Sequence, residues 1–252
     1  GGPAGMQAAI TAAGRGHRVI LAEASDALGG LLKFTRYDTL KSELKRLLDY
    51  FLRQVEASGA EVRLNTRVTP ELVAELNPDA LLIAVGSSPI VPPLPGIELA
   101  RHATTAYRNL PGLGRTVAVM GGGLVGCETA LSLARLGRDV TIIEMQAEVA
   151  PDANWMHRTA MLQTFAETPN LRVRTGLRCT AVTADGVMTQ DTEGREVFIP
   201  AESVIYAFGQ RSEPVLDLLS LPVPEVRTIG DCRQVGKTNG AIFDGYHAGM
   251  DL

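Results

Sequence analysis

With 252 residues, 45% of them hydrophobic, the chain is long enough for one or two well-packed domains. A net charge of −4, with acids and bases mixed throughout, gives no basic stripe for a nucleic acid, and the longest apolar runs, about half a dozen residues, fall far short of the ~20 a membrane helix needs. No charged-then-apolar leader is visible, and Cys127, Cys179 and Cys232 are too far apart for a redox pair or clustered metal ligands, so the expectation is a cytoplasmic protein with small buried thiols and neither a nucleic-acid nor a membrane partner.

The chain opens on a glycine-rich turn, Gly1-Gly2-Pro3-Ala4-Gly5, followed by an alanine-rich helical stretch and the apolar run Val19–Ala22 ending at Glu23. Leu28-Gly29-Gly30-Leu31 comes next, a glycine pair that lets backbone run close to a ligand. Leu40, Leu44, Leu47, Leu48, Phe51, Leu52 and Val55 recur at helical spacing and predict a long amphipathic helix ended by Gly59. A strand over Glu61–Leu64, a short helix from Pro70 to about Leu76 and an apolar run Leu81–Ile83 before Ala84-Val85-Gly86 complete this first part. From Pro89 to Gly114 five prolines and no clear period predict a connector between domains.

Val117–Met120 then reads as a buried parallel strand leading into Gly121-Gly122-Gly123-Leu124-Val125-Gly126, a complete G-x-G-x-x-G. Gly126, Ala130, Leu133 and Ala134 continue it as an amphipathic helix that Gly137 ends, and Val140–Ile143 is a second strand closing on Glu144. The glycines serve separate purposes. Gly121 permits the tight turn, Gly123 lets backbone approach a pyrophosphate, and Gly126 lets helix and strand pack closely. The first helical residues, Leu124 and Val125 among them, present free N–H groups and a partial positive charge to phosphates, and Glu144 is placed to accept from both hydroxyls of an adenosine ribose. Short strands are expected near 171–174, 178–182 and 196–199, then Val204–Tyr206 before Ala207-Phe208-Gly209. A further strand, Val226–Ile229, leads to Gly230-Asp231-Cys232, and Gly240–Leu252 reads as a helix.

Laid over this unit, the opening of the chain is a second copy. Gly2 matches Gly123, Gly5 matches Gly126, Gly16 matches Gly137 and Glu23 matches Glu144; Gly86 and Gly209 close equivalent strands. Two dinucleotide sites in one chain follow from strand, turn, helix and terminal acid recurring in register. The glycine equivalent to Gly121 would fall one position before Gly1, so the expectation is a piece of a longer polypeptide, less stable than the intact module.

These motifs resemble the two-dinucleotide-binding flavoproteins of the pyridine nucleotide-disulfide oxidoreductase type. The finer resemblance is to the C-terminal module of NADH:flavin oxidoreductases of the 2,4-dienoyl-CoA reductase and 2-enoate reductase type. It is carried by Leu48-Asp49-Tyr50, Arg53-Gln54-Val55-Glu56, Glu61–Thr66, Gly126–Ala130, Gly230-Asp231-Cys232 and Ala241-Ile242 through Asp244–Gly249. The resemblance implies an α/β fold of two Rossmann-like dinucleotide-binding domains, the second inserted in the first: FAD-binding over 1–110 and 209–252, NAD(H)-binding over 111–208. It implies FAD held by Gly2, Gly5, Glu23, Gly29, Gly30, Val68, Ala84, Gly86, Gly230, Asp231, Ala241 and Ile242. The nicotinamide nucleotide would be held by Gly121, Gly123, Leu124, Val125, Gly126, Glu144 and Gly209. FMN, a 4Fe-4S cluster and the substrate-reducing barrel belong to an N-terminal part outside this chain. Val85 departs from the usual Ala-Thr-Gly, and Gly240 replaces a side chain often larger in relatives.

The expected activity is therefore electron input: hydride passes from NAD(P)H to FAD and onward to an enoate- or dienoyl-CoA-reducing flavin domain. NADH is expected over NADPH, because Glu144 repels a 2′-phosphate and Met145-Gln146 offer no arginine to hold one. Two other readings stay open, a non-catalytic ADP-binding scaffold as in the trimethylamine dehydrogenase relatives and a disulfide-reductase-like flavoprotein. His17, His102, His157 and His247 are scattered, and no acid, base or nucleophile is assigned.

Overall fold

A computed structural model describes residues 1–38 and 40–252, the side chain of Arg108 excepted. The chain forms two compact α/β units. One comprises Gly1–Arg36, Lys41–Ser88 and Gln210–Leu252; the other comprises Tyr37–Leu40 and Pro89–Gly209, so most of the second is contributed by chain lying between two stretches of the first.

The second unit is built on a five-stranded parallel sheet in the order Arg101–His102, Ser203–Tyr206, Thr116–Met120, Asp139–Ile143, Leu171–Arg174. Its central strand is apolar at consecutive positions because both faces are covered. Val117 and Val119 join Ile142, Ile205 and Leu133 of the helix Leu124–Arg135 in one core. On the other face, Ala118, Met120, Ile143 and Tyr206 pack against Leu177, Val182, Val187 and Ile199. The last three residues come from an antiparallel sheet of Arg178–Thr183, Gly186–Gln190 and Glu196–Pro200. The helix Trp155–Ala166 was not expected from the sequence; Asn154 caps it, its Oδ1 accepting from Met156 N at 3.0 Å. Gly186–Gln190 is likewise an extra strand, hidden by its polar composition but fixed by ladders on both sides.

In the first unit the helix Pro3–Gly14 starts on proline, whose missing N–H costs nothing there. The amphipathic helix Ser42–Ser58 buries Leu48, Phe51 and Val55, and Gly59, at φ +76°, ends it as expected. Strands pair in parallel as Ile20–Ala22 with Glu61–Arg63 and as Ala80–Ile83 with Glu225–Thr228. The C-terminal helix Thr238–Met250 lies against Pro3–Gly14 at very short range: a Cβ on Gly245 would stand 2.2 Å from the Ala4 carbonyl oxygen, and one on Gly249 2.9 Å from that of Ala8.

One boundary differs from expectation. Pro89–Gly114, expected as a connector, groups with the second unit, to which the chain passes at Ser88/Pro89. It is bound into the second unit by backbone: Val182 N donates to Pro95 O at 2.8 Å, Ile90 N donates to Gly209 O at 3.1 Å, and Arg101–His102 extends the parallel sheet. Proline removes donors but leaves carbonyls, so a proline-rich stretch still accepts from its neighbours.

Candidate dinucleotide sites

The second unit shows each loop glycine in a distinct environment. Gly121 has φ +99°, and a Cβ there would stand 2.6 Å from the Ala207 carbonyl oxygen. A Cβ on Gly126 would stand 1.9 Å from the Gly121 oxygen and 3.4 Å from Ala207 Cβ, which places strand 203–206 and its extension directly behind the helix start. Gly123 has no neighbour within 4 Å of such an atom, so its backbone faces open space. As N-cap it supplies no side chain, and the first-turn N–H groups of Leu124, Val125 and Gly126 have no side-chain cap. An anion is the natural partner for such donors.

Glu144 closes this loop. Its Oε2 accepts from Gly122 N at 2.6 Å and its Oε1 from Gln146 N at 2.8 Å. Its backbone is held in turn by Glu144 N to Arg174 O at 2.9 Å and Leu177 N to Glu144 O at 2.9 Å. Gly209, at φ +87°, follows the stacked Tyr206 and Phe208 at the end of the adjacent strand.

The first unit repeats this network bond for bond, at a register of 121 residues through the loop, helix and acid. The Gly1 amino group lies 3.1 Å from Glu23 Oε2, and Glu23 Oε1 accepts from Ser25 N at 2.8 Å. Gly29 N donates to Gly1 O at 2.7 Å, as Ala150 N does to Gly122 O at 2.7 Å. Glu23 N donates to Arg63 O at 2.9 Å and Thr66 N to Glu23 O at 2.8 Å, matching Arg174 and Leu177. Asn65 and Gly176, with φ +52° and +68°, make the same turn. Gly5 meets Ala84 (3.3 Å from its would-be Cβ) as Gly126 meets Ala207.

These contacts gather Gly2, Gly5, Glu23, Gly29, Gly30 and Ala84 about one loop. Gly2 is an extended N-cap without a side-chain bond, and a Cβ on Gly30 would stand 2.8 Å from Gly2 Cα, so this glycine pair keeps the loop clear. Gly230, at φ +65°, also approaches the same helix, its would-be Cβ lying 2.8 Å from Ala4 Cβ and 3.7 Å from Ala241 Cβ. Asp231 is braced on both oxygens: Oδ2 accepts from Ser87 Oγ at 3.1 Å and Oδ1 from Gly236 N at 3.1 Å. Gly86, at φ +80°, accepts from Glu213 N at 3.1 Å, and Ile242 packs on the core of Met6, Leu48 and Phe51. Val68 lies two residues beyond the Thr66 turn, in register with Cys179 of the second unit.

The network includes residues the motifs did not single out. Ser25 Oγ donates to Glu23 Oε1 at 2.6 Å, Lys33 Nζ donates to Ser25 Oγ at 2.7 Å, and Asp244 Oδ2 accepts from Gly230 N at 3.1 Å. Ser25 and Asp244 stand two and fourteen positions from the acid and the glycine they serve, and only Ser25 was reachable by reading the turn after the acid. Burial of the Glu23 carboxyl opposes ionisation, but the side-chain and backbone bonds from Ser25, ahead of the contact with the Gly1 nitrogen, outweigh it and bring its pKa to about 2. Burial pushes the thiols of Cys127 and Cys179 up to about 12, with the Glu144 charge adding to both, so each is a neutral thiol. All three cysteines are free, and no group of metal-ligating side chains occurs among the described residues. No helix among them is long and apolar enough to cross a membrane.

Comparison with known proteins agrees with this geometry. The family model "Pyridine nucleotide-disulphide oxidoreductase" matches residues 1–239. An NADH oxidase of Thermoanaerobacter brockii is 38% identical over all of this chain and 40% of its own length. A cinnamate reductase of Clostridium sporogenes is 33% identical over all of this chain and 38% of its own. The solved structure of a 2-naphthoyl-CoA reductase with 2-naphthoyl-CoA superimposes with a TM-score of 0.91 at 30% identity, covering 100% of this chain and 38% of that one. The chain thus spans about two fifths of the length of each of these three relatives.

Proposed function

The chain belongs to the pyridine nucleotide-disulphide oxidoreductase family, and on that premise we propose that it is the electron-input module of an NADH-dependent flavin oxidoreductase, with FAD in the first site and NADH in the second. The observation that carries this reading is the duplicated loop-and-acid network, Gly1/Gly2/Glu23/Gly29 and Gly122/Gly123/Glu144/Ala150, each copy with an uncapped helix start facing open backbone. When bound, a flavin accepts a hydride from a reduced nicotinamide and releases its electrons singly or in pairs. The protein's part is to bind and orient. First-turn N–H groups behind Gly2 and Gly123 meet pyrophosphate, Glu23 and Glu144 accept from ribose hydroxyls, and Gly30 and Gly123 keep side chains out of the phosphate space. Asp231, braced by Ser87 and Gly236, is assigned to the ribityl-phosphate region of FAD, with Gly86, Val68, Ala241 and Ile242 along the same cofactor and Gly209 beside the nicotinamide nucleotide.

The preference for NADH rests on how Glu144 is held. Two backbone N–H donors fix both its oxygens, so the carboxylate has no alternative bonded position away from an incoming 2′-phosphate. The onward acceptor is assigned to the part of the longer protein outside this chain, a domain carrying FMN and an iron–sulfur cluster that reduces an enoate or an acyl-CoA double bond. Relatives named for cinnamate and 2-naphthoyl-CoA reduction support that substrate class. Stopped-flow reduction of the full-length protein by the two nucleotides tests the donor: faster reduction at equal concentration is expected with NADH, and a preference for NADPH would contradict it.

A further inference from the structure

The first site carries an ammonium where its twin has an amide. Lys33 lies in the 3-10 turn Gly30–Arg36, and its stem crosses Gly29 so closely that a Cβ there would stand 3.0 Å from Lys33 Cγ. Its ammonium donates to Ser25 Oγ at 2.7 Å and to the Ala27 carbonyl at 3.1 Å, leaving a third N–H beyond these two bonds. Since Ser25 Oγ donates to Glu23 Oε1 at 2.6 Å, the acid, the serine and the lysine form one chain at the rim of the loop. Gly29, which the lysine stem crosses, donates to the Gly1 carbonyl at 2.7 Å, which places Lys33 beside the phosphate loop as well as beside the acid.

The 121-residue register puts Gln146 at the position of Ser25 and Asn154 at that of Lys33. Gln146 gives Glu144 only its backbone N–H, and Asn154 Oδ1 is engaged by the helix it caps. The second loop therefore has no ammonium at this position, and the guanidinium near it, Arg158, donates to Val149 O at 2.9 Å and is already paired with Glu148 at 2.8 Å.

We propose that Lys33 is a cofactor-binding residue of the first site, its ammonium held by Ser25 and Ala27 so as to neutralise the diphosphate-bearing adenosine half of the resident dinucleotide. The proposal rests on the reading that this site takes an adenine dinucleotide. It assigns the two copies different duties: the first retains its cofactor, and the second, whose nearby Arg158 is paired with Glu148, exchanges its own. A fixed ammonium beside a diphosphate makes a charge-assisted contact, stronger than the neutral bonds of the loop.

The test is titration of cofactor-stripped full-length protein with FAD at low and high salt, in wild type, Lys33→Met, Lys33→Gln and Lys33→Arg. Lys33→Gln keeps a donor for Ser25, so it separates the charge from the brace. Lys33→Met and Lys33→Gln are expected to weaken FAD binding about tenfold and to flatten its salt dependence. Lys33→Arg should restore most of the loss, and NADH affinity should be unchanged in all three as the check on folding. Wild-type affinity in Lys33→Gln would overturn the proposal and leave the two-site reading standing. A wild type that takes ADP in place of FAD would contradict the flavin assignment alone, and the same series with ADP should then show the same losses. A wild type that binds neither would overturn the reading and the proposal together.

Discussion

Glu23 and Glu144 each tie a glycine loop to the strand end that carries them, and each is proposed to accept from the hydroxyls of a ribose. That double duty has consequences at the level of single residues. Because the Glu23 pKa is depressed from 4.5 to about 2, the bonded carboxylate contributes stability that is fully present above 4.5 and is lost as pH falls toward 2. Chemical denaturation between those limits should show wild type losing stability faster than Glu23→Gln, and parallel curves would contradict the assignment. Glu144→Arg removes the repulsion toward a 2′-phosphate and should narrow or reverse the preference between NADH and NADPH, read as the ratio of reduction rates. Unchanged selectivity would show that Glu144 does not sit at the ribose. Glu144 was legible from its place after a strand and a glycine motif, and Ser25 was within reach of the turn after Glu23; Lys33 was not, since it lies outside the shared pattern and acts through side-chain bonds that only the folded loop creates.

Among elements, the approach of helix Thr238–Met250 to helix Pro3–Gly14 shows how two glycines in one helix can have opposite meanings. Gly245 stands against the Ala4 carbonyl, whereas Gly240 has nothing within 4 Å of a would-be Cβ. Gly245→Ala should cost about 1–3 kcal/mol through overpacking, while Gly240→Ala should be neutral or stabilise by about 0.5–1 kcal/mol from the lower entropy of the unfolded chain. Urea midpoints measure both, and equal effects would mean the helices are not in this contact. Long periodic elements such as Ser42–Ser58 and the strand–turn–helix around Gly121 were readable because burial on one face or both sets their pattern. Trp155–Ala166 and Gly186–Gln190 were not. The helix buries only Met161 and Phe165, and the strand is fixed by ladders with the two strands that flank it in the chain. The grouping of Pro89–Gly114 with the second unit was hidden for a related reason: its backbone pairs with residues far along the chain, Ile90 with Gly209 and Pro95 with Val182, and no local signal reports such pairing.

For the whole molecule, duplication is what made the sequence informative. The intact copy around Gly121 serves as a ruler for the first, and the structure extends the match from glycines and acids to individual backbone bonds, down to the shared turn of Asn65 and Gly176. The copies then diverge where their proposed cofactors do, in the glycine pair and Lys33 of the first site against Ala150 and Asn154 of the second. Composition and spacing carried no sign of the onward acceptor, because specificity for a substrate lies in side chains that converge at a reacting atom, and the histidines described here do not converge: His157 pairs with Glu128 at 3.2 Å, His102 with Thr104 and His247 with Phe243. The most direct test of the two-site account is anaerobic titration of the full-length protein with NADH while its visible spectrum is followed, together with release and identification of the nucleotide in the first site. FAD released from wild type, and a flavin band that bleaches on adding NADH, is the predicted result; a colourless protein carrying ADP, or an FAD band that NADH leaves unchanged, would contradict it.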